Sequence, residues 1–286
     1  MKREELNHPA VQGNKLHKLK LNIQEAIRLQ TDTLLTFGGD YSNYIAATAA
    51  AAQKAGFKSI GFIRGEELAL TPDKWSPTLK LAQKNGMALN FISRENYRQK
   101  NQPDTLQTLQ SEFPQAYIIP EGGSNILAVQ GIESLMSDIE IQCPDWTHLY
   151  TAVGTGGTLA GLVSFSKLNL NRTILGVATL KNADYLIPII EQWIIQAAEH
   201  NPVNHWQLLT QYHMGGYSKT TTELLQQMSD FEMEFKIDLE PIYTAKMVAA
   251  FYAQLHKNLI KPGSKVVLLH TGGLQGRSHK AYNNHG

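Results

Sequence analysis

Short apolar runs rich in β-forming residues alternate along this chain with longer segments of helical character. That alternation predicts parallel sheets covered on both faces. In the first half the runs are Thr33–Gly39, Ser59–Arg64, Ala88–Ser93 and Ala116–Gly122. Between them lie an Ala-rich stretch, Tyr44–Ala55, and a segment around Thr78–Asn85; Gly56 and Gly86 follow them as left-handed helix stops. In the second half the runs are Thr147–Val153, Thr173–Thr179, His205–Thr210 and Lys265–His270, with helices over Thr158–Leu168, Ala183–His200, Thr221–Phe235 and Thr244–Lys257. The polar stretch Arg94–Pro103 reads as a surface connection. The expected fold class is α/β, with two doubly wound domains, mostly parallel sheets, a boundary near residues 125–130, and the first residues packed on the second domain.

Size and charge agree with that division. At about 150 residues per domain, 286 residues make about two domains. With 26 basic and 25 acidic residues, the formal charge of +1 gives no field that would draw the chain to nucleic acid or an anionic membrane. A single cysteine, Cys143, excludes an internal disulfide and a multi-thiolate metal site. The charged start, Met1-Lys-Arg-Glu-Glu5, lacks the apolar core of a signal peptide, and the longest apolar run, Ile45–Ala52, is far short of the ~20 residues that span a bilayer. The expectation is a soluble, cytoplasmic protein with no nucleic-acid or membrane partner.

Three segments carry chemistry. Thr151-Ala-Val-Gly-Thr-Gly-Gly-Thr-Leu-Ala-Gly161 follows a strand and opens a helix. There Gly154, Thr155, Gly156, Gly157 and Thr158 offer backbone N–H groups and two hydroxyls to a phosphate, or form a tight structural turn. The dinucleotide fingerprint is broken by Leu159 and by Thr179 where an acid belongs, and no Walker lysine follows the glycines. Pro9-Ala-Val-Gln-Gly-Asn-Lys-Leu-His-Lys-Leu19 places Lys15 after a Gly-Asn turn at the start of a helical pattern. Partial desolvation and a helix N-terminus both disfavour the ammonium form, as an imine-forming lysine requires. Lys18, one turn on, is the competing candidate, and either could be a solvated surface lysine. In Phe37-Gly-Gly-Asp-Tyr-Ser-Asn-Tyr44, Ser42 is a helix N-cap or a group that holds an amino-acid carboxylate, and Asn43 can donate to a ring oxygen.

Taken in order with Lys2-Arg-Glu-Glu-Leu6, Glu121-Gly-Gly-Ser-Asn125, Gly215-Gly-Tyr217, Glu240-Pro-Ile-Tyr-Thr244 and His270-Thr-Gly-Gly273, these segments resemble the pyridoxal-phosphate enzymes of the tryptophan-synthase-β type (fold type II). The chain most resembles the 1-aminocyclopropane-1-carboxylate deaminase / D-cysteine desulfhydrase family, nearly end to end. The resemblance implies a pyridoxal 5'-phosphate cofactor, a small amino-acid substrate and a homodimer. It implies a large cofactor-binding domain over 1–18 and 128–286 and a small domain over 19–127. Lys15 would form the Schiff base, Asn43 would bond the cofactor's phenolic oxygen, and Gly154 to Thr158 would bind its phosphate. Ser42 would sit beside the substrate carboxylate, Tyr243 would lie against the pyridine ring, and Tyr217 would reach toward the substrate.

Thr244 falls where the pyridine nitrogen finds its partner, and the deaminase branch is similar but carries glutamate there. A carboxylate would keep that nitrogen protonated; a hydroxyl leaves a milder electron sink, suited to α,β-elimination. The expected activity is therefore D-cysteine desulfhydrase-like elimination and deamination to a 2-oxo acid and ammonia. The alternatives are 1-aminocyclopropane-1-carboxylate deamination or a weakly active cofactor-binding homologue. Two departures carry their own expectations. His17 stands where arginine is usual, so an ion pair there is weaker and pH-dependent. The chain also opens without the family's upstream segment, which implies a start further upstream or a more open site. A dinucleotide oxidoreductase and a metal hydrolase are the rival classes; neither His200 nor His205 falls in a His-Glu-x-x-His pattern.

Overall fold

The computed structural model describes residues 1–277, so the part of the expected large domain beyond them, 278–286, lies outside the described residues. In chain order the elements begin with β1 (Lys2–Arg3), α1 (Asn14–Arg28), β2 (Thr33–Gly38), α2 (Asn43–Ala55), β3 (Lys58–Arg64), α3 (Pro77–Lys84) and β4 (Met87–Ile92). There follow α4 (Arg94–Arg98), α5 (Pro103–Glu112), β5 (Ala116–Ile119), α6 (Ile126–Gly131), α7 (Glu133–Gln142), β6 (His148–Val153) and α8 (Gly157–Phe165). The chain then forms β7 (Thr173–Ala178), α9 (Leu186–Ala197), β8 (His205–Leu209), α10 (Thr222–Phe235), α11 (Thr244–His256) and β9 (Val266–His270).

The chain divides into two compact units. One comprises Met1–Lys18 and Ile126–Leu274, the other Leu19–Asn125 with the described residues 275–277. In the first unit the sheet order is β1-β9-β6-β7-β8, and in the second β4-β3-β2-β5. Every pairing in both sheets is parallel, from Lys2 opposite Leu269 to Thr33 opposite Ala116. Parallel strands covered on both faces must be apolar throughout rather than alternating. Accordingly β2 is buried at every position, and β6 and β7 at all but their first.

Local chemistry sets the helix ends. Ser42 caps α2, its side chain accepting the N–H of Ile45, and Gly56 ends that helix at φ 79°. Ser76 caps α3, with Pro77 in the first turn, and Gly86 follows at φ 82°. The core of the first unit joins Ile132, Trp146, Leu149, Leu159, Ile174 and Leu269, all at most 1% exposed. The second unit has two smaller cores, one around Ile45, Leu79 and Met87, the other around Leu35, Phe37 and Tyr97.

Two expectations need correction. Arg94–Pro103 is not a plain surface connection: Ser93 caps α4 through the N–H of Asn96, and Tyr97 turns inward. The run from Ala116 ends as a strand at Ile119, because Pro120 follows and Gly122 takes φ 64° in a tight 3-10 turn. Among the described residues no helix is long and apolar enough to cross a membrane.

Candidate active site

Lys15 is placed by a turn that only glycine can make. Gly13 takes φ 70°, and a Cβ there would overlap the Thr271 carbonyl. The Gly13 N–H donates to the Glu4 carbonyl at 3.1 Å and to Asn7 Oδ1 at 3.0 Å, while Asn7 Nδ2 donates back to the Gly13 carbonyl at 3.1 Å. Helix α1 starts from this locked turn. In its first turn Asn14 Nδ2 donates to Thr158 Oγ1 at 2.7 Å, and Lys15 Nζ donates to the Thr271 carbonyl at 3.0 Å. The lysine is only partly exposed, and desolvation of its ammonium lowers its pKa to about 8, opposed by the negative charge of Glu240.

Lys18 is buried. Desolvation, then repulsion by Lys15, brings its pKa to about 7. One helical turn separates them, and it is Lys15 that the Thr271 carbonyl holds.

The Gly154–Thr158 loop joins β6 to α8. Gly156 caps α8 without any side-chain hydrogen bond, so the first amides of the helix are not taken by a cap. A Cβ at Gly154 would stand 3.2 Å from Tyr243 Cε1, and one at Gly156 would stand 2.6 Å from Ile190 Cγ1. Gly154 and Gly156 are thus crowded where a Cβ would stand, as expected where backbone N–H groups meet a phosphate. Tyr243 in turn lies under Lys15 Nζ, 5.8 Å from its ring centroid. Tyr217 meets Tyr243 edge to face, with centroids 6.2 Å apart and planes at 72°.

Thr244, fully buried, opens α11. Its Oγ1 accepts the Glu240 N–H at 2.8 Å and donates to the Glu240 carbonyl at 3.1 Å. The buried carboxylate of Glu240 accepts the N–H groups of Ile242, Tyr243 and Thr244 at 2.9, 2.7 and 2.6 Å. Burial pushes its pKa up, against those N–H bonds and the Lys15 charge. Glu240, Asn14 and Thr271 were not singled out from the sequence. An acid just before a helix start was a readable signal for Glu240. A backbone carbonyl carries no such signal.

The structure therefore links Lys15, the Gly154–Thr158 loop, Tyr217, Tyr243 and Thr244 within one unit. Ser42 and Asn43 belong to the other unit, where both are buried at the start of α2; Gln275 Nε2 reaches Asn43 Oδ1 at 3.5 Å. Where its replacement of arginine puts an ion pair at issue, His17 lies within hydrogen-bond distance of the acid: Nε2 is 2.8 Å from Glu4 Oε2 and Nδ1 2.9 Å from Ser134 Oγ. Among the described residues no group of His, Cys, Asp and Glu could hold a metal ion.

A desolvated lysine, a glycine cradle at a helix N-terminus and a tyrosine beside both are the parts that an imine-forming site with an anion anchor needs. The chain belongs to the family described as pyridoxal-phosphate dependent enzyme, whose sequence model matches residues 1–272. A Thermotoga maritima protein that carries a provisional 1-aminocyclopropane-1-carboxylate deaminase name is 30% identical over 96% of this chain and 88% of its own. The "Bifunctional D-cysteine desulfhydrase/1-aminocyclopropane-1-carboxylate deaminase, mitochondrial" of Arabidopsis thaliana is 28% identical over 96% of this chain and 72% of its own. Among solved structures, that of an ACC deaminase homologue superposes with a TM-score of 0.85 at 26% identity, covering 98% of this chain and 86% of that one. A tomato (Solanum lycopersicum) threonine deaminase shares the fold with a TM-score of 0.70 at 17% identity, over 98% of this chain and 76% of its own. The protein is thus a pyridoxal-phosphate dependent enzyme of fold type II, of the 1-aminocyclopropane-1-carboxylate deaminase / D-cysteine desulfhydrase type.

Cofactor and site fit. Asn14 Oδ1 is buried with no hydrogen-bond partner among the described residues, beside the Thr158 hydroxyl that its Nδ2 contacts. An unmet buried acceptor beside the first residues of the glycine cradle is consistent with a polar group held there.

Proposed function

We propose that this enzyme removes a leaving group from Cβ and the amine from Cα of a small amino acid, in the manner of a D-cysteine desulfhydrase. With D-cysteine and water the products are pyruvate, sulfide and ammonia. Thr244 carries this reading. Its neutral hydroxyl, at the start of α11, would turn from the Glu240 carbonyl to meet the ring nitrogen, and the nearest acid in sequence, Glu240, has its carboxylate engaged by three peptide N–H groups. An uncharged partner for the pyridine nitrogen leaves a milder electron sink, enough for loss of a good leaving group such as thiolate. Ring opening of 1-aminocyclopropane-1-carboxylate is the second reading, favoured by the names of the relatives.

Pyridoxal phosphate, when bound, supplies the ring that stabilises negative charge developing at Cα. The residues of this chain do the rest. Lys15, the Gly154–Thr158 amides, Thr158, Lys18 and Asn14 would hold the cofactor's aldehyde and phosphate ends, and Tyr243 would lie against its ring. With a pKa of about 8, about a tenth of Lys15 is neutral at pH 7, against about one part in three thousand for an ordinary lysine. That neutral amine is both the nucleophile and, for an L-substrate, the base that takes the Cα proton. A D-substrate turns that proton to the opposite side, which transfers the role to a tyrosine or to Ser42. Ser42 would orient the substrate carboxylate and Asn43 the cofactor's phenolic oxygen. The reading includes a cytoplasmic homodimer, which cell fractionation and sedimentation test.

Borohydride reduction followed by peptide mapping tests the site, and a panel of D- and L-amino acids with 1-aminocyclopropane-1-carboxylate tests the substrate. Label on Lys15 and sulfide from D-cysteine support the reading. Label on Lys18, or 2-oxo acid from the cyclopropane substrate alone, overturns it.

A further inference from the structure

Lys246 is fully buried in the first turns of α11, among Ala245, Met247, Val248 and Ala249, where an apolar side chain would fill the space without desolvating a charge. Its Nζ donates to the Gly216 carbonyl at 2.7 Å, an oxygen that also accepts the Lys219 N–H at 3.1 Å. Gly216 belongs to a backbone that bends sharply: Met214, Gly215, Gly216 and Ser218 all take positive φ, at 49°, 91°, 116° and 55°. Such a stretch holds its shape only where its surroundings over-determine it. Two further bonds close it, Gly216 N–H to the His213 carbonyl at 3.0 Å and Gly215 N–H to His213 Nδ1 at 3.0 Å. The peptide whose oxygen Lys246 grips is the one that leads into Tyr217.

We infer that Lys246 is a positioning residue, pinning the Gly216–Tyr217 peptide so that the Tyr217 ring stands against Tyr243 beside the reactive lysine. One helix turn thereby serves the site twice, Tyr243 and Thr244 at its start and Lys246 inside it. Glu240 supplies the opposite charge: its field raises the pKa of Lys246, which burial lowers to about 8, as it does that of Lys15. The inference rests on the reading of Tyr217 as a substrate-facing residue.

A double-mutant cycle on the holoenzyme tests it, with Lys246→Met and Tyr217→Phe measured singly and together. Lys246→Met is expected to keep the cofactor's visible absorbance and to lower turnover by about 10- to 100-fold. In the Tyr217→Phe background the same change is expected to cost less than about threefold, because the group it positions is already gone. Equal losses in both backgrounds, or loss of cofactor in step with activity, overturn the inference while leaving the role of Tyr217 standing. A Tyr217→Phe enzyme with unaltered kinetics overturns both. Should Lys246→Met fail to fold, Gly216→Ala perturbs the same peptide without touching either charge: at φ 116° an alanine is strained, yet its Cβ meets Lys181 at ordinary contact distance, Cβ at 3.5 Å and N at 3.8 Å. It is expected to show the same dependence on Tyr217, and additive losses overturn the inference there too.

Discussion

Lys15 Nζ donates to the Thr271 carbonyl at 3.0 Å, a bond between residues 256 apart in sequence, and Gly13 presses its bare Cα against the same carbonyl. The proposed nucleophile is thus held by a backbone carbonyl that Gly13, a residue without a side chain, also approaches.

Gly13→Ala is therefore expected to be among the most damaging single-methyl changes in the chain. The left-handed backbone and the overlap with Thr271 add to a cost of at least about 1–3 kcal/mol. Since the turn also aims Lys15, cofactor content should fall together with the melting temperature. A variant that melts normally and holds cofactor normally would show that the turn has room the geometry denies it.

Cofactor capture by the stripped enzyme should depend on pH through Lys15. Its ammonium is the form that burial disfavours, so the reactive neutral fraction rises with pH until the group has titrated at about 8. The rate constant for capture is expected to climb about tenfold per pH unit below that point and to level off above it. Stopped-flow absorbance between pH 6 and 10 reads the curve. A plateau reached only near the ordinary lysine value would mean that the ammonium is solvated.

Glu240→Gln tests the opposing influence. The Glu240 charge raises the Lys15 pKa, so its removal should shift the midpoint of the same curve to lower pH, not higher. The amide keeps an oxygen for part of the N–H cluster at the start of α11, and melting measured alongside separates the electrostatic effect from loss of the cap.

Thr244→Val removes the hydroxyl at nearly constant shape. The Glu240 N–H then loses its acceptor, at a cost of about 1–3 kcal/mol, which for a chain of this size lowers melting by several degrees. Elimination from D-cysteine should fall further than cofactor binding does, because the hydroxyl is proposed to meet the ring nitrogen and not the phosphate. Equal falls in both would assign Thr244 a structural role alone.

Much of this was legible in the residues themselves. The parallel α/β fold followed from apolar runs that stay buried along nearly their whole length, as β2 and β6 are, and from stops such as Gly56. Gly13-Asn-Lys15 and Gly154–Thr158 were readable because glycine and lysine are costly at such places unless something uses them. Helix α4 was hidden because its one inward residue, Tyr97, sits in a polar stretch with no repeat to betray a helix. The helices of 103–142 were passed over as well; α5, for example, buries only Leu109. Two partners of the site residues were hidden for a different reason: Thr271 and Gly216 act through backbone carbonyls across long separations, and side-chain identity says little about either.

The pairing of β1 with β9 sets Arg3 opposite His270, so the first strand of its sheet acquires its neighbour only when nearly the last described one has been made. On the ribosome, at about 5–20 residues per second, Lys15 waits on the order of 10–50 s for the carbonyl that will hold it. Until then the nascent protein has no finished place for an aldehyde to react, and a message broken shortly before codon 266 would yield a product with its glycine cradle encoded but its lysine unsupported.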